Sequence, residues 1–328
     1  MAIGDPRGPE AEGLPHFIMV GAPKCGTTSM HAMLASHPDV FMPENEVFFF
    51  DVDDVMAHPD FFVHRDGLSF HDYDGQFDEY LAWYRSLFAP AGPGQTIGED
   101  TTTYLSSRDV PDRIAALLPD ARLIAMLRDP VSRAYSQYLH NVRAGRATLS
   151  FERTLRTNPG ALLEHGLYAE HLQRYRGFLD AGQMTVVFFE DLIADPMAQL
   201  ARVCSFLGLA EAPSVDDDSK HSNAARPPLH FGSRLLLNHY LGHRFSFPRP
   251  RPNLPNYRGP DADDAQRRPL KWYEKAALSL DENMPRPRAP RMKDETRMHL
   301  QKVFAKRNEG LADLLGTDVH ARWPYMKA

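Results

Sequence analysis

Three segments of the chain combine residue types and spacings that could bind anions or move a proton. The first is Val20-Gly21-Ala22-Pro23-Lys24-Cys25-Gly26-Thr27-Thr28-Ser29. It follows the short apolar run Phe17–Val20 and precedes a helical pattern, so it reads as a strand–turn–helix unit. In such a unit the free N–H groups of the turn and the positive end of the helix dipole converge on an anion. Gly21 and Gly26 permit backbone that a β-carbon would obstruct. Thr27 and Thr28 add hydroxyl donors, and Lys24 adds a mobile cation. The glycine spacing equals that of the nucleotide P-loop, but Thr27 stands where that motif has its lysine, and the lysine sits inside the turn. A kinase uses the post-glycine lysine on terminal phosphates, so the displacement weighs against ATP or GTP hydrolysis. The plain alternative is a glycine-rich turn with an incidental lysine.

The second segment is Leu127-Arg128-Asp129-Pro130-Val131-Ser132-Arg133-Ala134-Tyr135-Ser136, directly after a buried-strand signal. Arg128 falls at the carboxyl end of that strand, where open α/β sheets bind ligands. Ser136 lies about two turns into the following helix, so guanidinium and hydroxyl could share one phosphate. Taken alone, Arg-Asp-Pro is also an ordinary ion pair at a helix start, and Arg133 reads as structural. The third segment is Glu44-Asn45-Glu46-Val47-Phe48-Phe49-Phe50-Asp51. A carboxylate beside four apolar residues is partly desolvated, which raises its proton affinity and suits it to act as a base. The bland reading makes Glu44 and Glu46 the outer face of an alternating strand.

The elements that must carry these segments follow from periodicity and caps. Strand signals are Phe17–Val20, Val40–Met42, Thr96–Glu99, Arg122–Leu127 and Thr185–Phe189, most of them short and apolar. Helical patterns fall at Thr27–Ser36, Phe77–Phe88, Asp109–Leu118, from Pro130 onward, along Tyr168, Leu172, Tyr175 and Leu179, and at Pro196–Leu207 with Gly208 as C-cap. A last helix carries Leu300, Phe304, Leu311 and Leu315 on one stripe. Residues 51–74 show no clear period and read as loop. Alternating apolar strands and helices predict an α/β fold, three-layered and P-loop-like, with a central parallel sheet covered by helices on both faces.

Composition narrows the function. The chain has 328 residues, 43% hydrophobic and 24% charged, which is ordinary globular usage and argues against wholesale disorder. A net charge of −6 argues against a general nucleic-acid binder. No run approaches the length needed to span a bilayer, and the opening residues lack the apolar core of a signal peptide. Two cysteines, Cys25 and Cys204, make neither a disulfide framework nor a zinc site, so a cytoplasmic location is expected. Fifteen scattered histidines show no metal-ligand spacing, and no metal is expected. The expected layout is a flexible leader at 1–15 and a single domain at 16–328, with a Pro/Arg-rich loop or lid around 247–260. Oligomeric state is not legible.

Phe17–Ser29, followed by His37-Pro38-Asp39-Val40, resembles the opening of sulfotransferases that use 3′-phosphoadenosine 5′-phosphosulfate (PAPS), above all the heparan-sulfate group and its bacterial relatives. The resemblance covers residues 16–210 well and the last third weakly. It implies that Lys24, Cys25, Gly26, Thr27 and Thr28 hold the donor's 5′-phosphosulfate and that Lys24 steadies the leaving oxygen. Arg128 and Ser136 are similar to the family's 3′-phosphate motif, and Arg226 or Lys220 could reach the same phosphate from a later loop. Glu44–Asp51 resembles Glu-Asn-Glu-Val-His-Phe-Phe-Asp, which makes Glu46 the base and gives Asp51 a part in orienting the acceptor. Phe48 stands where that group has histidine. Gly98–Leu105 is similar to a stretch with a lysine where this chain has Asp100, which disfavours a polyanionic acceptor and makes Asp100 a rival base. The implied activity is sulfuryl transfer to a hydroxyl, or less readily an amine, of a carbohydrate or small-molecule natural product, releasing 3′-phosphoadenosine 5′-phosphate (PAP). A P-loop small-molecule kinase and a nucleotide-binding module without catalysis are the alternatives.

Overall fold

The computed structural model describes residues 12–58, 71–210 and 290–327, two short strands between 63 and 68, and a few helical residues between 231 and 239. Five parallel strands form the central sheet: β1 (Phe17–Gly21), β2 (Val40–Phe41), β5 (Thr96–Asp100), β6 (Arg122–Leu127) and β7 (Met184–Phe188). Their spatial order is β2-β5-β1-β6-β7. Strands β3 (Val63–His64) and β4 (Gly67–Leu68) pair separately as an antiparallel ribbon. All of β1 is buried, as is β6 after its first residue. That continuous apolar character is what a strand covered on both faces requires.

β1 sits at the centre, with β5 on one side and β6 on the other. The chain therefore leaves β5 and crosses to the opposite flank to build β6. Carboxyl ends of β5, β1 and β6 meet at this reversal, where doubly wound sheets open a crevice. Helix α1 (Thr27–Ala35) follows β1 and packs against α10 (Pro196–Leu207), which also contacts β7. Helix α4 (Pro130–Arg143) follows β6 after a two-residue link. The side chain of Asp129 accepts the Ser132 N–H at 2.7 Å, capping α4, and Pro130 occupies its tolerated first position. Asp195 caps α10 in the same way, and Gly208, at φ 74°, ends it.

Between these lie α2 (Phe77–Phe88), α3 (Val110–Leu117), α5 (Phe151–Thr157), α6 (Gly160–Leu163), α7 (Tyr168–Arg174), α8 (Arg176–Asp180) and α9 (Phe189–Ala194). Two expected helices are each divided. The Tyr168–Leu179 stripe breaks at Tyr175, whose buried hydroxyl donates to the Tyr104 carbonyl at 2.8 Å. The C-terminal stripe becomes α11 (Asp294–Arg307) and α12 (Leu311–Leu315), separated where Gly310 takes φ 78°. β7 ends one residue early because Phe189 already begins α9. Leu14 and Pro15, expected in a leader, are buried, and Leu14 belongs to the core.

Residues 47–50 are all buried and form no strand, so the alternating-strand reading of the acidic segment fails. Phe49 stacks on Tyr84 of α2 at 4.1 Å, and Phe50 meets Tyr84 and Tyr104 edge-on. Each buried phenyl ring contributes about 1.5–3 kcal/mol, so the run anchors Glu46 firmly. The C-terminal elements dock through Asn308. Its Oδ1 accepts the Ala169 N–H at 3.1 Å, and its Nδ2 donates to the Gly166 and Phe304 carbonyls. Asn308→Ala leaves these buried groups unpaired and is expected to lower unfolding stability by about 1–3 kcal/mol, read as a lower denaturation midpoint at unchanged slope.

Candidate active site

The turn between β1 and α1 is shaped by two glycines that cannot be replaced in place. Gly21 has φ 128°, and a β-carbon there would lie 2.3 Å from the Thr102 carbonyl oxygen. Gly26 is the N-cap of α1 at φ 90°, and a β-carbon would meet the Phe189 ring at 2.8 Å. Lys24 itself takes φ 69°, an uncommon conformation for a residue with a side chain. No side chain caps α1 and no acid occupies its first turn. The helix end thus presents its dipole and its first N–H groups to an incoming anion. Thr28 is exposed in that first turn, whereas Thr27 is buried. Cys25 is fully buried, its thiol pushed up to about 11 by desolvation, so its contribution to an anion site is its backbone N–H.

Arg128, at the end of β6, joins this turn to the second segment. Its Nη1 donates to the Lys24 carbonyl at 3.2 Å, and its guanidinium lies 4.3 Å from the centre of the Phe189 ring. The backbone of Arg128 is held by Tyr168, whose hydroxyl donates to the Arg128 carbonyl at 2.8 Å and accepts its N–H at 3.3 Å. The same hydroxyl lies 3.6 Å from the Cys25 Sγ. A single buried phenol therefore touches both phosphate-type turns. Trp323 packs on the Tyr168 ring, and Tyr325 donates to Asp129 Oδ2 at 2.7 Å, so the C-terminal segment supports the site from behind. The Asp129 N–H donates to Glu190 at 2.9 Å. Ser136 is half-buried on α4. Arg133 is fully buried and donates to the Leu162 carbonyl, a structural role.

Lys24 Nζ lies 3.5 Å from His140 Nδ1 of α4. Burial, then the Arg143 and Arg128 charges, bring the lysine down to about 8, with Glu46 and Cys25 opposing. Glu46 is fixed from the other side. Its Oε1 accepts both the backbone N–H (2.9 Å) and the hydroxyl (2.5 Å) of Thr102. This contact is one of four between neighbouring segments. Thr101 Oγ1 accepts the N–H groups of Val47 and Phe48, Thr103 donates to Asp51, and the Tyr104 hydroxyl accepts the Phe50 N–H. The polar run after β5 thus fastens the acidic segment residue by residue.

Two expectations are corrected here. Asp51 has no exposed surface; it bonds Thr103 and lies 2.8 Å from His58 Nε2, inside the protein rather than facing an acceptor. Asp100 is paired with His31 Nδ1 at 2.8 Å, so it is not an open carboxylate awaiting a substrate proton. Phe48, at the position of a histidine in the resembling motif, packs edge-on against the His58 ring. Arg226, Lys220 and the 247–260 loop lie outside the described residues. Among the described residues, no three His, Cys, Asp or Glu side chains converge as a metal site. No described helix is long and apolar enough to cross a membrane. Sequence reasoning gave no polar role to Tyr168, His31 or His140. Tyr168 was visible only as one position of a hydrophobic stripe.

Comparison with known proteins settles the family, because a sequence model described as "Sulfotransferase family" matches residues 15–213, more than half of the chain. The chain belongs to the sulfotransferase family. Mouse heparan sulfate glucosamine 3-O-sulfotransferase 3B1 is 35% identical over 210 residues, 62% of this sulfotransferase and 48% of the relative. Human heparan sulfate glucosamine 3-O-sulfotransferase 6 is 31% identical over 227 residues, 67% of this chain and 59% of its own length. The chain spans about half the length of the curated relatives it matches. The crystal structure of a sulfotransferase from Alicyclobacillus acidocaldarius shares the fold, with a TM-score of 0.59 at 24% identity, covering 94% of this chain and 98% of that one.

The turn's geometry makes a direct expectation for this sulfotransferase. Gly26→Ala places a β-carbon at positive φ and against Phe189, so the turn must reshape. Anion binding, followed with inorganic pyrophosphate by calorimetry, is expected to be lost, and the unfolding free energy is expected to fall by about 1–3 kcal/mol.

Proposed function

We propose that this chain transfers the sulfuryl group of PAPS to an acceptor hydroxyl, with an amine as the less favoured acceptor atom, and releases PAP. The observation that carries the reading is the bonded link between the two turns assigned here as anion cradles. Arg128 bonds the backbone of Lys24, and Tyr168 touches both turns. A nucleotide with phosphate groups at two separated ribose positions suits such a paired site better than ATP, whose phosphates form one chain. Lys24, Cys25, Gly26, Thr27 and Thr28 would hold the 5′-phosphosulfate, and Arg128 with Ser136 the 3′-phosphate. Arg226 is assigned to the same phosphate by sequence resemblance alone.

The donor supplies an activated sulfuryl group. The protein's part is positioning and charge. Glu46, oriented by the two Thr102 bonds, takes the proton of the acceptor hydroxyl as that oxygen attacks sulfur. Lys24 meets the charge that builds on the departing phosphate oxygen, where a fixed cation lowers the barrier most. The acceptor is a carbohydrate or small-molecule natural product. The relatives' names point to carbohydrate, and the Asp100–His31 pair in place of a lone lysine favours an acceptor less anionic than heparan sulfate. The two thiols, Cys25 and Cys204, are free and buried, in keeping with a reducing, cytoplasmic setting.

Calorimetry separates this reading from a kinase. PAP is expected to bind about tenfold or more tightly than ATP, the worth of one additional charged phosphate contact, with EDTA present in both titrations. Equal affinities, or preference for ATP with magnesium, would contradict the assignment. Since the Lys24 charge is lost as pH rises through about 8, PAP affinity is expected to weaken above that pH, by at most about tenfold per unit for one linked proton. With labelled PAPS and a panel of aliphatic alcohols and glucosamine oligosaccharides, Glu46→Gln is expected to cut turnover by about 10²–10⁴-fold while PAP binding persists. An inert wild type across all acceptors would favour the binding-module alternative.

A further inference from the structure

The end of β5 brings two carboxyls, Glu99 and Asp100, next to the stretch that holds Glu46. Asp100 closes the strand, and Thr102, two residues on, holds Glu46 through two bonds to one oxygen. Asp100 retains only 7% exposure, and Glu99, the preceding residue, is fully buried with burial pushing its carboxyl well above the usual carboxylate range. Glu46 needs to be ionised to accept a proton, and a cation held near it favours that form.

His31 occupies that place. It lies one turn beyond Thr27 on α1, and its Nδ1 is 2.8 Å from Asp100 Oδ1, with 14% of its side chain exposed. Burial by itself would lower the imidazole. The Asp100 bond and charge, with the Glu46 charge added, outweigh it and raise the imidazole above its ordinary value. Among the described groups, Lys24 from the β1–α1 turn and His31 from α1 both feel the Glu46 charge, and Asp100 of β5 pairs with His31. Glu99 is a buried carboxyl of β5 within the field of Asp51 from the acidic segment, and Arg128, Arg143 and His140 lie near Lys24.

We propose that His31, clamped by Asp100, is a positioning residue that keeps a positive charge beside Glu46 and holds it as the carboxylate, leaving Lys24 for the donor's leaving oxygen. The inference rests on Glu46 being the base. It gives the substitution of aspartate for the family-like lysine a physical role: the cation has moved from the strand to the helix, and Asp100 fixes it there. The dyad also divides the work between two cations, one facing the base and one facing the donor.

The test reads protonation directly and needs no acceptor. Protein labelled with ¹³C at the glutamate carboxyl is titrated by NMR from about pH 3 to 9, the Glu46 signal being assigned by its loss in Glu46→Gln. His31→Gln is expected to raise the Glu46 midpoint by about one unit or more, a tenfold gain in proton affinity, whereas His31→Lys keeps it near the wild-type position. Separately, Asp100→Asn is expected to lower the His31 midpoint, followed with ¹⁵N-histidine label, which keeps the proposal testable if a His31 variant fails to fold. An unmoved Glu46 midpoint in folded His31→Gln, or an unmoved His31 midpoint in Asp100→Asn, would overturn it. Retained sulfuryl transfer by Glu46→Gln would instead overturn the base assignment while leaving the titration result intact, so the two failures are distinguishable.

Discussion

The hydroxyl of Tyr168 is the contact on which the site depends. It donates to one carbonyl, accepts one N–H and lies beside one thiol, and those groups belong to two turns more than a hundred residues apart in sequence. A buried phenol must find polar partners, and here the partners are the backbone of Arg128 and the side chain of Cys25. Neither turn can shift without breaking a bond in a place water does not reach. The spacing of the two turns proposed as anion cradles is therefore set by a rigid ring rather than by flexible loops. Trp323 and Tyr325 brace this arrangement from the C-terminus, which explains why a segment remote from the sequence motifs folds back onto them.

Pre-organisation of this kind concentrates like charge. Lys24 stands near Arg128 and Arg143, and their repulsion, after burial, draws its proton affinity down. That cost is carried by the fold before any ligand arrives, and an anion relieves it. On the β5 side, Asp100 bonds His31, and the charges of Asp100 and Glu46 together raise that imidazole against its burial. Glu46 lies in the field of both Lys24 and His31, so the proposed base and the cation proposed for the leaving oxygen share one charged site.

Much of the scaffold was legible because its signals are local. Arg122–Leu127 is a strand from its continuous apolar run, α10 runs from a proline at its first position to a glycine stop, and the strand–turn–helix of residues 17–35 follows from two glycines and the pattern around them. What sequence missed was set by distant partners. The Tyr168–Leu179 stripe has helical spacing throughout, yet Tyr175 breaks it to bond Tyr104. The C-terminal stripe has the right residues, but Gly310 interrupts it. Val47–Phe50 forms no alternating strand because all four side chains are buried, Phe49 and Phe50 against α2 and Tyr104 and Phe48 against His58. Glu46 was recognisable through its motif, while the Thr102 grip that orients it, and the His31–Asp100 pair beside it, join residues 56 and 69 positions apart. No local pattern encodes such a pair.

The most direct measurement of the account is a crystal structure of the chain with PAP bound. The account predicts the 5′-phosphate on the Gly21–Thr28 turn, within hydrogen-bond reach of its N–H groups and Lys24, and the 3′-phosphate against Arg128 and Ser136, with Tyr168 unmoved between them. A nucleotide whose phosphates leave that turn empty, or an Arg128 turned away from the ribose phosphate, would contradict it.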